Sequence, residues 1–226
     1  MAVSSIPVLA LASLLFFSSS PTPKHYSKKA PSYTKASKPI RSVAKRAPVR
    51  SSSPKGPSIK DVQLGNKRFN PKREQKALYR YIKTHYKHVS DEDAEQISKS
   101  LVKYGEKHNL DPKLVAAVIA KESSFNKKAE SPTGAKGLGQ IKPFNFPSLG
   151  IKDPENIQQN VSGTTQYIKR LLKRWQTNSK GTSLAIASYY EGPNAVQQSR
   201  GKLSSDTSSY VKRVLKKYNE IKEKTK

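Results

Sequence analysis

Leu114-Val115-Ala116-Ala117-Val118-Ile119-Ala120-Lys121-Glu122-Ser123-Ser124-Phe125, with Ser131-Pro132-Thr133-Gly134-Ala135-Lys136-Gly137-Leu138-Gly139-Gln140-Ile141-Lys142-Pro143 close behind it, decides how this chain is read. Asp111-Pro112 opens a helix whose apolar residues are Leu114, Val115, Val118 and Ile119. The apolar run stops at Lys121-Glu122. From Ser131 to Pro147 glycine and proline dominate, which predicts an irregular or short-hairpin segment. Glu122 thus stands where a packed helix meets a Gly-rich loop, beside an expected cleft. A carboxyl held against apolar neighbours loses hydration of its ionised form, so its pKa rises and it suits general-acid work. Taken alone, the residue reads more readily as the end of an amphipathic helix, where glutamates are common.

The helical pattern extends to both sides. Upstream, Asn70-Pro71 supplies an N-cap and an N1 proline, and Leu78, Ile82, His85 and Val89 recur at spacings of four, three and four. Ser90 caps the next helix, with Asp93 three residues on and Ile97, Leu101 and Tyr104 along one face. Downstream, Asp153-Pro154 is read as the start of the longest helix. Its stripe is Ile157, Val161, Thr164, Ile168, Leu171 and Trp175. Two further helices are expected around Leu184–Tyr190 and Thr207–Lys222, the second turning Tyr210, Val214, Tyr218 and Ile221 inward. No alternating strand of any length is visible. The expected class is mainly α, with room for one short β-ribbon.

Composition separates this region from what precedes it. The 226 residues carry 43 Lys+Arg against 16 Asp+Glu, a net charge of +27. Residues 1–60 hold 11 of those basic residues and no acidic one, together with 8 of the 15 prolines and 14 serines. Such a stretch cannot bury enough apolar surface to offset chain entropy, so residues 21–65 read as a basic Pro/Ser/Lys-rich disordered linker. Ile6 to Phe17 is apolar, followed by Ser18, Ser19 and Ser20. It falls short of the roughly 20 residues that span a bilayer and suits a secretory signal over residues 1–20, so export to a periplasm or cell-wall space is expected. Residues 66–226 are left as the helical domain. The absence of cysteine excludes a disulfide scaffold, a thiolate metal site and a cysteine nucleophile.

Four motifs, in order and at matching spacing over residues 105–220, resemble the soluble-type (SLT) lytic transglycosylase family. That family reads E-S and, after a short gap, S-P-x-G-A-x-G-L-M-Q-x-x-P, as at Glu122-Ser123 and Ser131 to Pro143. Ala187-Ser188-Tyr189-Tyr190-Glu191-Gly192 is similar to its A-Y-N-A-G turn, and Tyr210-Val211-Lys212-Arg213-Val214 to its Y-V-x-x-V helix. The resemblance implies a goose-lysozyme-like helical fold with a peptidoglycan cleft and no cofactor. It implies that Glu122 is the sole acid/base, cleaving between N-acetylmuramic acid and N-acetylglucosamine with closure of a 1,6-anhydro ring. The muramic acetamido group replaces the second carboxylate of ordinary glycosidases. Ser123, Gln140, Tyr189 and Tyr210 match the family's cleft residues, although the tyrosines by themselves read as core packing at helical spacing.

Three positions depart from the family. Its Met in G-L-M-Q is Gly139 here, which is expected to remove an apolar wall near the sugar and to free the backbone. Its Asn in A-Y-N-A-G is Tyr190, and the following Ala is Glu191. Glu191 reads as a solvated turn residue, the alternative being a carboxylate that holds a water and turns the reaction toward hydrolysis. A hydrolytic muramidase, a weakly catalytic peptidoglycan-binding scaffold within a larger assembly, and a basic nucleic-acid binder are the competing readings. For the basic tail, anionic wall polymers or a membrane surface are preferred to nucleic acid as partners. His85 and His88, at i and i+3 without an H-E-x-x-H pattern, read as surface or core-edge residues and no metal site is expected. Oligomeric state is open.

Overall fold

The computed structural model of the chain describes residues 56–65 and 69–226. The apolar run Ile6 to Phe17 and the linker as far as residue 55 lie outside the described residues.

Polar caps set the first three helices where the sequence places them. Asn70 accepts from the Arg73 amide to open α1 (Pro71–His85), Ser90 from the Asp93 amide to open α2 (Asp91–His108), and Asp111 from the Lys113 amide to open α3 (Pro112–Ser123). Helix α3 is the centre of the domain. Leu114, Val115, Ala116, Ala117 and Ile119 are fully buried, and a helix that is apolar nearly all round has to be enclosed by others. It packs against α2, against α5 (Ile157–Arg174) and against α8 (Ser205–Lys224). Helix α6 (Gly181–Glu191) joins α5 to α8, and the short α7 (Pro193–Gln198) covers α6. Glu122 therefore projects from the last turn of the most enclosed helix, which has little freedom to shift.

The fold is mainly α as expected, and several boundaries differ from the sequence reading. Helix α1 stops at His85, because Tyr86 leaves helical geometry, and Val89 reaches the core from the following turn. Helix α5 begins at Ile157 under an Asn156 cap, three residues later than Asp153-Pro154 suggests. The Asp153 carboxylate is spent on the Glu155 amide in a local turn, while Gln159 reaches back to accept the Lys152 and Asp153 amides. Among the described residues the longest helix is α8, with 20 residues against 18 in α5. Trp175 ends the α5 stripe as a C-cap, its indole donating to Ser188 Oγ in α6 at 2.9 Å. A one-turn helix, α4 (Phe146–Leu149), was not expected, and neither was α7.

Two corrections bear on organisation. In place of a β-ribbon there are isolated bridges, Glu130 to Lys136 and Lys136 to Ile141, and no strand among the described residues. Residues 56–65, assigned by composition to the linker, are packed. They form a 3-10 turn at Lys60–Val62, with Val62 fully buried and its carbonyl accepting the Asp111 amide at 2.8 Å. Two apolar side chains, Ile59 and Val62, suffice to seat this segment on the core next to the cap of α3, and a composition average over sixty residues hides them.

Candidate active site

The end of α3 is fixed by an unusual chain reversal. Ser124 and Phe125 both adopt the left-handed region, at φ 51° and 62°. For a bulky side chain that costs about 1–2 kcal/mol, so the surroundings must hold it there. Phe125 is 2% exposed and packs edge-on against Tyr86 at 4.8 Å, while His88 Nε2 meets the Ser124 carbonyl at 2.9 Å. Helix α3 cannot run on, and Glu122 is held one turn above this plug. Ser123 turns its hydroxyl back to the Ile119 carbonyl at 3.3 Å and not to Glu122.

The Glu122 carboxyl is half-buried, and burial pushes its pKa above the ordinary carboxylate value. Two groups act in the opposite direction: the Tyr210 hydroxyl, which donates to Glu122 Oε1, and the neighbouring Lys121. Burial prevails. Tyr210 comes from α8 and is 2% exposed. Burial first, and then the Glu122 charge, holds its own pKa well above the usual phenol value, so it stays a neutral donor. Its ring is covered on the solvent side by Tyr190, stacked at 4.5 Å and 20°, with the Lys121 ammonium 5.6 Å from the ring centre. Among the described residues Glu122 Oε2 makes no hydrogen bond, which leaves one carboxyl oxygen for a ligand.

On the other side the Gly-rich loop is organised by one residue that the sequence reading passed over, Asn160 of α5. Its fully buried side chain accepts the Gly139 amide at 2.8 Å and donates to the Pro154 carbonyl at 2.9 Å and the Lys136 carbonyl at 3.3 Å. Gly137, at φ 74°, lies so close that a Cβ would stand 2.2 Å from both Asn160 Nδ2 and the Pro154 carbonyl. The available signal was positional: an amide on the inward stripe of α5, between Ile157 and Thr164.

Gly139 serves a different purpose from the one expected of it. Its backbone is clamped, the amide by Asn160 and the carbonyl by the Tyr189 hydroxyl at 2.6 Å. A Cβ there would stand 1.9 Å from Thr164 Oγ1, so the space that a larger residue would need is taken by Thr164 and Tyr189. Gly139 opens no room for a sugar. Gln140, at φ 50°, folds its amide nitrogen into the loop, donating to the carbonyls of Ala129 at 2.9 Å and Gly137 at 3.0 Å. Its side-chain oxygen makes no hydrogen bond among the described residues, and the residue borders a pocket.

That pocket, of about 200 Å³, is bordered by Gln140, Phe144 and Asn145 from the loop and by Tyr189, Tyr190 and Glu191 from the end of α6. The carboxylate of Glu191 accepts the Thr207 hydroxyl at 2.9 Å, tying the end of α6 to the first turn of α8. Tyr189 stands close enough for the Glu122 charge to help raise its pKa, after burial. The structure thus gathers Glu122, Tyr189, Tyr190 and Tyr210 in one place. Gly139 and Gln140 support the neighbouring loop, and Ser123 faces its own helix. Among the described residues no group of three or more His, Asp or Glu side chains is placed to hold a metal.

The architecture is that of a helical domain in which three tyrosines gather about one half-buried carboxyl. The model of the Transglycosylase SLT domain matches residues 99–219, over half of the chain, and the chain belongs to this family. A transglycosylase of Enterobacteria phage PRD1 is 33% identical over 112 residues, which are 50% of this chain and 39% of that protein. The membrane-bound lytic murein transglycosylase F of Saccharophagus degradans is 30% identical over 164 residues, 64% of this chain and 33% of the relative. The chain thus spans a third to two fifths of the length of these relatives. A solved structure of an inactive mutant of the lytic transglycosylase Slt from Pseudomonas aeruginosa has a TM-score of 0.49 at 22% identity, covering 65% of this chain and 27% of that one.

Proposed function

We propose that the chain is an exported peptidoglycan lytic transglycosylase in which Glu122 is the sole acid/base. One observation carries this reading: a carboxyl made more basic by burial, gripped at one oxygen by a neutral tyrosine and open at the other. In the first step Glu122 donates its proton to the glycosidic oxygen between N-acetylmuramic acid and N-acetylglucosamine. The C1–O bond breaks with its electron pair on that oxygen, and the muramic acetamido oxygen covers C1. The Glu122 carboxylate then takes the C6 hydroxyl proton while O6 bonds to C1 and displaces the acetamido oxygen. This closes the 1,6-anhydro ring, returns the proton to Glu122 and consumes no water. The Tyr210 hydroxyl supports the carboxylate in the half of the cycle when it is charged, and burial favours the half when it is not.

Glu191 is exposed at the end of α6 and holds the Thr207 hydroxyl at one oxygen, a solvated turn position that favours the transglycosylase over the hydrolytic muramidase. Export rests on the apolar run Ile6 to Phe17. The basic segment before the domain would hold the enzyme at anionic wall polymers or a membrane surface. Among the described residues no helix is long and apolar enough to cross a membrane.

Mass spectrometry of the soluble products from purified peptidoglycan tests the reading, with wild type and Glu122→Gln side by side. Fragments ending in 1,6-anhydro-muramic acid are expected from wild type, at a rate at least about 10²–10⁴-fold above the variant. Reducing-end products would replace the proposal with a hydrolase, and no release by wild type would leave a binding scaffold.

A further inference from the structure

Tyr190 and Glu191, the two consecutive positions at which the chain departs from A-Y-N-A-G, form the end of α6 and touch α8 twice. The Tyr190 ring lies on the Tyr210 ring at 4.5 Å and 20°, and the Glu191 carboxylate accepts the Thr207 hydroxyl at 2.9 Å. Thr207 and Tyr210 are three residues apart on α8, so they stand on one face, about a turn from each other. Asparagine has no ring to stack and alanine no side-chain acceptor. Both contacts therefore belong to the residues peculiar to this chain.

The hydrogen-bonded half is anchored below the surface. Thr207 is buried, its hydroxyl accepting from Ser204 Oγ at 2.8 Å while its amide donates to the same oxygen at 3.1 Å. Ser204 caps the N-terminus of α8, where the helix dipole favours a carboxylate. Among the described residues no Lys or Arg forms an ion pair with Glu191, which leaves the Thr207 hydroxyl to fix it. Ser188 and Tyr189 are tied inward, by the Trp175 indole and to the Gly139 carbonyl. Tyr190 instead stands 52% exposed, one residue from the tie at Glu191, and α6 stops at Gly192 with φ 93°. Helix ends fray, so the Glu191 tie decides how firmly the Tyr190 ring stays over Tyr210.

Beneath that ring the Tyr210 hydroxyl meets Glu122. Tyr210 is 2% exposed while Tyr190 is half in solvent, so the Tyr190 ring is the boundary between water and this contact. The titratable groups facing Glu122 are Lys121 on its own helix, Tyr210 from α8 and Tyr189 from α6, with Tyr190 behind Tyr210.

We propose that Tyr190 and Glu191 form a two-point clasp on α8 that keeps water off the Tyr210–Glu122 contact, with Glu191 a positioning residue for the Tyr190 ring. The proposal rests on the reading of Glu122 as the acid/base and adds a means, built from this chain's own residues, of keeping that group dry.

The test combines carboxyl-selective ¹³C NMR titration of Glu122 with the pH profile of kcat/KM on peptidoglycan, in Glu191→Ala, Glu191→Gln, Tyr190→Phe and Tyr190→Asn. Opening the clasp lets water solvate the charged carboxylate, so the protonated acid is lost at lower pH. Glu191→Ala and Tyr190→Asn are expected to lower the titration midpoint and the alkaline limb of the profile together, by about half a pH unit. Glu191→Gln, whose amide oxygen still accepts the Thr207 hydroxyl, and Tyr190→Phe, which still stacks, should keep wild-type values. The double variant Tyr190→Asn/Glu191→Ala should shift no further than Tyr190→Asn, since Glu191 acts through the ring. An unmoved midpoint in Glu191→Ala, even with a lowered unfolding temperature, would overturn the clasp. A shift in Glu191→Gln as large as in Glu191→Ala would overturn it in favour of the bare charge. If wild type releases no 1,6-anhydro products the Glu122 reading falls, while the titration, which needs no turnover, still decides the clasp.

Discussion

The two flanks of Glu122 are built by opposite means. On one side α8 presents Tyr210 from a regular, capped helix, and the contact is a single hydrogen bond backed by ring stacking. On the other side the segment from Asn126 to Lys142 has almost no regular backbone pairing. Its shape comes from Asn160, from two glycines at close quarters and from a Gln140 folded into its own loop. The helical flank tolerates change wherever packing is conserved. The loop flank ties three of its backbone contacts to one buried amide, and there a substitution of one or two atoms is felt.

Asn160→Ala should therefore be the most damaging change outside Glu122. It strands the Gly139 amide and two carbonyls in a buried setting, at a cost of roughly 3 kcal/mol by chemical denaturation. Glycan release should fall with it. Tyr210 and Glu122 should keep their contact, because α3 and α8 pack independently of the loop. Gly139→Ala comes next. Its added methyl collides with Thr164 Oγ1, and overpacking of this kind costs about 1–3 kcal/mol. The double variant with Thr164→Ala should recover most of that loss in a double-mutant cycle. A full loss in the double variant would show that the glycine serves something other than close approach.

The helical flank gives smaller effects with a definite sign. Glu122 has a raised pKa in the folded protein, so it favours folding at acid pH and loses that contribution as pH rises from the ordinary value of 4.5 through the raised one. Glu122→Gln should unfold at a higher temperature than wild type at neutral pH, and the gap should shrink on acidification. A gap that is constant with pH would mean that burial does not act on this carboxyl. The smallest effect is expected for His88→Ala, about 0.5–1 kcal/mol, from losing the contact with the Ser124 carbonyl behind the α3 plug.

The same contrast explains what could be read in advance. Caps at Asn70, Ser90 and Asp111 and the inward stripes of α3, α5 and α8 follow local rules, so Glu122 and Tyr210 could be placed from spacing and motif. Asn160 could not, because a buried polar hub breaks the apolar pattern by which cores are recognised. Gly139 was misread for a related reason. Its φ is not left-handed, and the room it makes is filled by Thr164, a residue 25 positions away that no local rule connects to it. Residues 56–65 escaped because Ile59 and Val62 were averaged into a basic, proline-rich background.

At Glu122, burial holds the proton on against a tyrosine that pulls the other way. The most direct measurement is a carboxyl-selective ¹³C NMR titration of Glu122 in wild type and in Tyr210→Phe. The expected result is a wild-type pKa above 4.5 and a still higher one in the variant, since the lost hydroxyl favoured the charged form. A wild-type value at or below 4.5, or a drop on removing the hydroxyl, would contradict it.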